Sequence, residues 1–168
     1  LAATATEFSN FAKISSNSIE EVNIIERLNH CVELFSNEQD VTFVKQYKSS
    51  DTFNVMFDKD KMNRVFINII KNAIQAIPSD KHAEITIGID QQNEFHIVKI
   101  SDNGSGIDSE TQKRLFEPNF TTKSSGSGLG LAICKNIVKN YGGDIWFETQ
   151  KGQGSIFYIS FPKNSVGK

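Results

Sequence analysis

Two glycine-containing segments carry the residue types best suited to chemistry. Residues 102–107 read Asp-Asn-Gly-Ser-Gly-Ile, and residues 126–131 read Gly-Ser-Gly-Leu-Gly-Leu. The first segment places a carboxylate at the end of a β-type run, followed by glycines that let backbone approach a flat ligand closely. The second places glycines at the start of a helical run, where unpaired N–H groups and the helix dipole favour a phosphate. Together the two segments predict a nucleotide pocket.

Each segment taken alone also has an ordinary structural interpretation. Asn103-Gly104 is a common turn pair, and a run of alternating glycines often gives only flexibility before a helix. The second segment lacks the Lys-Ser/Thr of a Walker A loop, and no dinucleotide-binding turn precedes it. The functional interpretation is that Asp102 accepts a hydrogen bond from an exocyclic amine such as that of adenine, while Gly104 and Gly106 keep the ring edge unobstructed.

Two carboxamides lie four positions apart in a long predicted helix. Asn68 and Asn72 project from the same face of a stretch rich in Ile, Phe, Val and Ala. For either residue alone, solvent exposure or capping of a neighbouring strand is the ordinary interpretation. The functional interpretation is that the two oxygens serve a hard cation, since Mg²⁺ takes few protein ligands and keeps water and phosphate oxygens.

The first half of the chain carries clear local signals. Ser18 and Glu21 form a capping box, which predicts an amphipathic helix over residues 19–36. The β-formers at 41–47 and 53–57, separated by turn residues, predict a hairpin. Asp58 is expected to cap the helix that carries the two carboxamides, and Pro78 is expected to end it.

The second half alternates strands and helices less regularly. The polar connection that follows Asp102 is long for a compact domain, which is typical of a functional lid. The predicted elements are strands at 84–90, 94–101, 144–149 and 155–161, a short helix at 109–116 and a helix at 128–141. This order predicts an α+β fold, a two-layer sandwich in which a mixed, mostly antiparallel sheet is covered by helices on one face.

Length and composition limit the possible classes of function. A chain of 168 residues suits one domain, expected over residues 18–163, with 1–17 as the remnant of a longer helix and 164–168 as a tail. The net charge of −2 and the lack of a basic block argue against a nucleic acid partner. No apolar run approaches the roughly 20 residues needed to cross a bilayer, so we expect no membrane contact by this chain. Cys31 and Cys134 are expected to be buried, reduced thiols in a cytosolic protein.

Four motifs in one order resemble the catalytic ATP-binding domain of sensor histidine kinases, within the wider family shared with DNA gyrase, heat-shock chaperone ATPases and mismatch-repair ATPases. Residues 68–76 (Asn-Ile-Ile-Lys-Asn-Ala-Ile-Gln-Ala) resemble the N box, and 102–107 resemble the first glycine box. Residues 116–123 (Phe-Glu-Pro-Asn-Phe-Thr-Thr-Lys) resemble the F box, and 126–133 the second glycine box. The resemblance implies a Bergerat-type ATP-binding fold over residues 58–161, with ATP and Mg²⁺ as cofactors.

The resemblance also implies roles for single residues. Asn72 would ligate Mg²⁺ with Asn68 supporting it, both as catalytic residues, and Asp102 would bind the adenine amine. Residues 108–127 would form a mobile lid over the phosphates. The implied phosphate neighbours are Lys71, Arg114 and Lys123. The full implied nucleotide-binding set is Asn68, Lys71, Asn72, Asp102, Gly104, Gly106, Ile107, Phe116, Phe120, Thr121, Thr122, Lys123, Gly126, Ser127, Gly128, Leu129, Gly130, Leu131 and Ser155. Of these, Phe116 and Phe120 would anchor the lid.

Asn68 separates branches of this family. The chaperone, gyrase and mismatch-repair ATPases usually carry a Glu there, which activates a water or a hydroxyl as general base. An Asn has no proton-accepting state near neutral pH. The histidine kinase branch tolerates Asn because its nucleophile, an imidazole, is competent when neutral. Two further departures are Asn119, where many relatives have an aromatic, and Ser155, where relatives often have Thr.

A phosphoacceptor histidine is expected to lie outside this chain. None of His30, His82 and His96 has the acidic neighbour and proline of such a site. Residues 7–12 resemble the stretch after the second dimerisation helix of nitrogen-regulation-type sensors, so we expect a piece of a longer kinase. It would transfer the γ-phosphate of Mg-ATP to a histidine in the dimerisation domain, with a response regulator as an indirect partner.

The expected domain is cytoplasmic, whether or not the parent protein is membrane-anchored, and is a monomer or a weak dimer when isolated. Two other functions stay open from the sequence. One is a stand-alone ATPase of the same fold, against which Asn68 argues. The other is a nucleotide-sensing scaffold that binds without transferring phosphate, against which Asn72, Asp102 and the intact glycines argue.

Overall fold

The computed structural model describes residues 18–38, 40–122, 126 and 128–163. Predictions for the terminal segments 1–17 and 164–168, for Lys123 and for Ser127 lie outside the described residues. In chain order the elements are β1 (Ile19–Asn23), α1 (Ile24–Glu33), β2 (Val41–Gln46), β3 (Asn54–Asp58), α2 (Lys59–Gln75), β4 (Ala83–Gln92), β5 (Phe95–Asp102), α3 (Ser109–Arg114), α4 (Gly130–Asn140), β6 (Asp144–Gln150) and β7 (Gly154–Pro162).

A five-stranded sheet forms one layer of the domain. Its strand order is β2-β4-β5-β7-β6, and every neighbouring pair is antiparallel except β2 and β4. Apolar side chains from α1, α2 and α4 join those of the sheet in a single buried cluster. The predicted α+β sandwich, with a mixed, mostly antiparallel sheet and helices on one face, is confirmed.

The predicted helix over residues 19–36 is wrong in its first turn. Ile19–Asn23 forms β1, which pairs antiparallel with β3 in a separate two-stranded sheet. Asn23 caps α1, since its side-chain oxygen accepts from the N–H of Ile25 at 3.0 Å. The backbone N–H of Ser18 donates to Asp58 at 3.0 Å instead. Backbone pairing with a distant strand therefore outweighs the local helical period.

The predicted hairpin between 41–47 and 53–57 is also wrong. The turn does form, with the N–H of Lys48 donating to the Asp51 carboxylate at 2.9 Å. The flanking strands nevertheless diverge, because β2 pairs in parallel with β4 while β3 pairs with β1. A parallel pair needs a long crossover, and α2 lies within that connection.

Helix α2 packs its apolar face against the sheet. Asp58 caps it as predicted, since its carboxylate accepts from the N–H groups of Asp60 and Lys61 at 2.9 and 3.1 Å. The helix ends at Gln75, shortly before Pro78. Its fully buried large side chains are Met62, Val65, Phe66, Ile69 and Ile70. Each contributes about 2 kcal/mol of burial free energy, so this face holds the helix on the sheet.

The remaining predicted elements are confirmed with small changes at their ends. The β4–β5 and β6–β7 hairpins form, and α4 begins at Gly130 rather than at residue 128. Cys31 and Cys134 are free and fully buried. In the described part of the chain, every helix is too short or too polar to span a bilayer.

His96 on β5 gives the fold a pH dependence that can be measured. Its side chain is 7% exposed, contacts Phe53 edge to face, and among the described residues its Nδ1 has no hydrogen-bond partner. Burial, aided by the nearby charge of Lys163, lowers the pKa of His96 below its ordinary value of 6.5. As pH falls below that value, the unfolded chain takes up a proton that the folded chain does not.

We therefore expect the free energy of unfolding to decrease below pH 6.5, by at most about 1.4 kcal/mol per pH unit from this residue. Urea unfolding between pH 7.5 and 5 measures the slope. His96→Phe keeps a ring in the same place without a titrating group, so its slope should be shallower. Equal slopes in the two proteins would show that His96 does not cause the effect.

Candidate functional site

A cavity of about 850 Å³ lies beside α2, the segment after β5 and the N-terminus of α4. This volume is in the range of small-molecule sites in proteins. The predicted residues that line it are Asn68, Lys71, Asn72, Asp102, Gly106, Ile107, Phe120, Thr121, Thr122, Gly126, Gly128, Leu129, Gly130, Leu131 and Ser155. The structure thus brings the four sequence motifs together around one space.

Several lining residues were missed in the sequence. They are Asp60, Asn63, Arg64, Ile67, Gln75, Ala76, Asp108, Thr111, Leu115, Ile133 and Phe157. Most of the α2 members continue the helical spacing of Asn68 and Asn72 in both directions along the helix, so extending that spacing would have found them. Two predicted residues, Gly104 and Phe116, do not line the cavity.

Helix α2 supplies a polar wall opposite its buried face. Asn68 lies close to α4, because a Cβ added at Gly130 would be 3.6 Å from the Asn68 Oδ1. The thiol of Cys134 donates to the carbonyl of Val65 at 3.9 Å, and burial raises its pKa to about 12 while the nearby Asn68 side chain opposes the rise. Carboxamide oxygens such as those of Asn68 and Asn72 are hard ligands, of the kind that Mg²⁺ accepts beside phosphate and water.

Asp102 ends β5 opposite Ser155 of β7, and its side chain is 6% exposed. Its carboxylate accepts from the N–H of Gly104 at 2.8 Å and from the backbone of Ser155. Burial raises the pKa of Asp102, while these two hydrogen bonds and the charge of Lys81 oppose the rise. A carboxylate has about four acceptor positions, so acceptor capacity is left for a ligand amine.

Gly104 and Gly106 are needed by the protein's own backbone. A Cβ at Gly104 would lie 2.5 Å from the carbonyl oxygen of Ala76, and one at Gly106 would lie 2.2 Å from that of Gln150. Gly106 also has a φ of +71°. The sequence suggested that these glycines leave room for a ligand. The structure shows in addition that they let the chain pass between the end of α2 and the end of β6. Gly106 also lines the cavity, so room for a ligand there stays a prediction.

A hydroxyl network holds the start of the predicted lid. The N–H of Ile107 donates to the Thr149 hydroxyl at 2.9 Å, and that hydroxyl lies 2.8 Å from the Ser155 hydroxyl. Ser155 itself lines the cavity beside Asp102. Thr149 belongs to none of the four motifs, which is why sequence reasoning missed it.

Two phenylalanines hold the lid in different ways. The ring of Phe116 packs under the ammonium of Lys135, 4.4 Å from the ring centroid, and contacts Phe147. It faces a second cavity, of about 480 Å³, rather than the first. Phe120 lines the first cavity and lies 4.5 Å from the guanidinium of Arg114. Arg114 also pairs with Glu117 at 2.9 Å, and it does not line the cavity where phosphates were predicted.

The unusual Asn119 has a local explanation. It lies at φ +64° after Pro118, and the N–H of Phe120 bonds to the carbonyl of Glu117 at 3.3 Å. Proline followed by a residue with positive φ is typical of a type II turn, and Asn tolerates that conformation better than an aromatic side chain. A Cβ at Gly128 would be 2.5 Å from the Asn119 backbone, so the second glycine segment rests on this turn.

The N-terminus of α4 opens onto the cavity. The helix begins at Gly130, and no side chain caps it at Leu129. Gly128, Leu129, Gly130 and Leu131 all line the cavity. The first N–H groups of a helix and its dipole together favour an anion. The cavity therefore has a carboxylate at one end and a helix N-terminus at the other.

The fold and the site define an ATP-binding domain of the class predicted from the four motifs. The family described as "Histidine kinase-, DNA gyrase B-, and HSP90-like ATPase" matches residues 57–165, and the chain belongs to this family.

Within this family, the chain is similar to kinases of known name. Sporulation kinase C of Bacillus subtilis (strain 168) is 34% identical over 125 residues, covering 74% of this chain and 29% of that protein. Sensor histidine kinase ZraS of Escherichia coli (strain K12) is 31% identical over 165 residues, covering 97% of this chain and 35% of that protein. The chain thus spans roughly a third of the length of these relatives.

Solved structures agree with this assignment. The catalytic domain of histidine kinase ThkA matches with a TM-score of 0.77 and 28% identity, over 88% of this chain and 97% of that one. ThkA in complex with the response regulator protein TrrA also matches, with a TM-score of 0.77 and 26% identity over 97% of this chain and 48% of that one. The prediction of a histidine kinase catalytic domain is confirmed, and the narrower nitrogen-regulation type stays a prediction.

Gly106 and Gly152 offer a matched pair of substitutions. Both have positive φ, of +71° and +83°, but a Cβ at Gly152 would have no atom within 4 Å. Gly152→Ala should therefore cost only the backbone strain, about 1 kcal/mol. Gly106→Ala adds the clash with Gln150 and should cost about 3 kcal/mol. Thermal unfolding of both variants measures the difference, and equal losses would contradict the close approach at Gly106.

Proposed function

We propose that this domain binds Mg-ATP in the cavity of about 850 Å³ and donates the γ-phosphate to a histidine of a dimerisation domain outside the described residues. The observation that carries the proposal is that the two ends of the cavity have different chemistry. An acceptor-only carboxylate suits the adenine amine, and a helix N-terminus beside two carboxamides suits phosphates and their cation. Residue by residue, Asp102 takes the base end and Asn68, Asn72, Gly128 and Gly130 take the phosphate end.

The transfer itself needs little covalent chemistry from the protein. A nitrogen of the neutral acceptor imidazole forms a bond to the γ-phosphorus, and the bond from that phosphorus to the β–γ bridging oxygen breaks. The electron pair leaves with ADP. Backbone N–H groups at the start of α4 would stabilise the charge on the phosphates. Mg²⁺, held through Asn72, would supply further neutralisation.

Asn68 favours transfer to an imidazole over hydrolysis. A carboxamide cannot remove a proton from water near neutral pH, so it cannot act as the general base that ATP hydrolysis would need. A neutral imidazole needs no such base. We therefore infer slow turnover of ATP when no acceptor histidine is present.

The proposal extends to the parent protein. Residues 18–163 would be the catalytic domain, 1–17 a connector to the dimerisation domain and 164–168 a tail. A response regulator would receive the phosphate from the dimerisation domain, which is supported by the ThkA complex with TrrA. We further infer a cytoplasmic location and a monomer or weak dimer for the isolated domain, with no nucleic acid or membrane contact.

Asn72→Ala tests the metal and phosphate end. Removing the carboxamide oxygen should weaken binding of Mg-ATP by about tenfold or more, as measured by isothermal titration calorimetry. Asn140→Ala, at an exposed position near the end of α4, serves as the matched control and should bind like the wild type. Unchanged affinity in Asn72→Ala would contradict its role as a ligand.

Phosphate transfer is tested with γ-labelled ATP and the separately expressed dimerisation domain of the parent protein. We expect label on that domain and none stably on His30, His82 or His96. Rapid phosphate release without the acceptor would instead favour a stand-alone ATPase. Tight binding of ATP without transfer to the acceptor would favour a nucleotide-sensing scaffold.

A further inference from the structure

The chain leaves the sheet immediately after Asp102. From there the side chain of Asn103, instead of the backbone, makes the hydrogen bonds to the neighbouring chain segment. The last pair of the β4–β5 ladder is Ile85 with Asp102. One step further, the N–H of Glu84 donates to the Asn103 Oδ1 at 3.0 Å, and the Asn103 Nδ2 donates to the carbonyl of His82 at 3.1 Å. Both partners of the carboxamide are backbone groups, one in β4 and one in the residue just before it.

These two hydrogen bonds satisfy backbone groups of Glu84 and His82 that a continuing strand β5 would otherwise satisfy. Strand β4 already has β2 along its other side, with Val41 opposite Ala83. Asparagine carries one acceptor and one donor group on the same short side chain, so it satisfies the N–H of Glu84 and the carbonyl of His82 together. An aspartate in its ionised form would keep only the first bond.

The backbone of this segment is thereby released from the ladder and turns toward α2. The carbonyl of Asn103 accepts from the ammonium of Lys81. The N–H of Gly104 bonds to the Asp102 carboxylate at 2.8 Å, and the N–H of Ser105 bonds to the carbonyl of Ala76 at 3.1 Å. The carboxylate of Asp102 is consequently held from two sides, by the backbone of Ser155 on β7 and by the same turn that the Asn103 side chain fastens to the sheet.

We propose that Asn103 is a positioning residue that sets the base specificity of the nucleotide site. It does not line the cavity, and it acts by holding Asp102 where its carboxylate meets the amine of adenine. The inference rests on the proposed function, in which Asp102 binds that amine. The sequence indicated only an ordinary turn at Asn103-Gly104, whereas the side-chain bonds give Asn103 a separate task.

Base specificity separates this role from a general effect on stability. A carboxylate accepts from the amine of ATP, but it faces a carbonyl oxygen in inosine triphosphate, where two acceptors meet without a proton between them. A displaced Asp102 loses the favourable contact with ATP, and it also loses the unfavourable one with inosine triphosphate. The ratio of the two affinities then falls. A merely loosened fold weakens both nucleotides alike and leaves the ratio unchanged.

The experiment measures the dissociation constants of ATP and inosine triphosphate for Asn103→Ala by calorimetry, with Mg²⁺ present. We expect the preference for ATP to fall about tenfold, the equivalent of one lost hydrogen bond to a charged group. Asn103→Asp provides a second variant if Asn103→Ala does not fold, since it keeps the acceptor for Glu84 but turns its second oxygen toward the carbonyl of His82. Its preference for ATP should also fall.

Thr42→Val is the matched control. The Thr42 hydroxyl lies 2.7 Å from the His82 ring, so this variant loosens the same loop from its other side and leaves the carboxamide bonds in place. Its preference for ATP should equal that of the wild type. An equal loss of preference in Thr42→Val would contradict the proposal, because any loosening of the loop would then suffice.

The possible failures are distinguishable. If the wild type binds neither nucleotide, the proposed function is wrong. If the wild type prefers ATP and both Asn103 variants keep that preference, the proposed function stands and the role of Asn103 is wrong. Hydrogen exchange at the Glu84 amide, measured without nucleotide, should be faster in Asn103→Ala. Unchanged exchange there would contradict the contact on which the proposal depends.

Discussion

The rest of the structure depends on how α2 packs against the sheet. Its buried side chains, among them Val65, Phe66 and Ile69, fix the rotation of the helix about its own axis. A rotation by one residue, about 100°, would carry Asn68 into the apolar core and bring an apolar side chain into the cavity. Burial of five large side chains contributes about 10 kcal/mol in total, so the polar wall of the site is held by contacts made on the other face of the same helix.

The two ends of the cavity differ because one is formed where a strand ends and the other where a helix begins. At Asp102 a strand ends buried and the chain turns away, which leaves a side-chain acceptor in a place of low exposure. At Gly130 a helix begins without a side-chain cap, which leaves backbone donors. Asn68 lies eight positions, about 12 Å along the helix axis, before Ala76, which caps the end of α2 beside Asp102 and Gly104. A ligand with a donor at one end and negative charge at the other matches this polarity.

The sequence predicted the parts whose signals are local. Caps, turns and apolar spacing were sufficient for α2, α4 and the two hairpins, and the motifs identified most of the cavity wall. The errors fall where a distant strand decides the outcome, since β1 pairs with β3 and β2 pairs with β4. At the site, sequence patterns likewise failed to indicate the roles of Thr149 and Asn103. Each holds a neighbouring segment through contacts across the sheet, and a one-dimensional pattern does not record such contacts.

The carboxylate of Asp58 joins two places that are far apart in the chain. One oxygen accepts from the first N–H groups of α2, and the other accepts from the N–H of Ser18, forty residues earlier. Ser18, just before β1, and the point where the cavity helix begins are therefore tied through one buried side chain. Losing this carboxylate would therefore loosen the start of β1 and the start of α2 together.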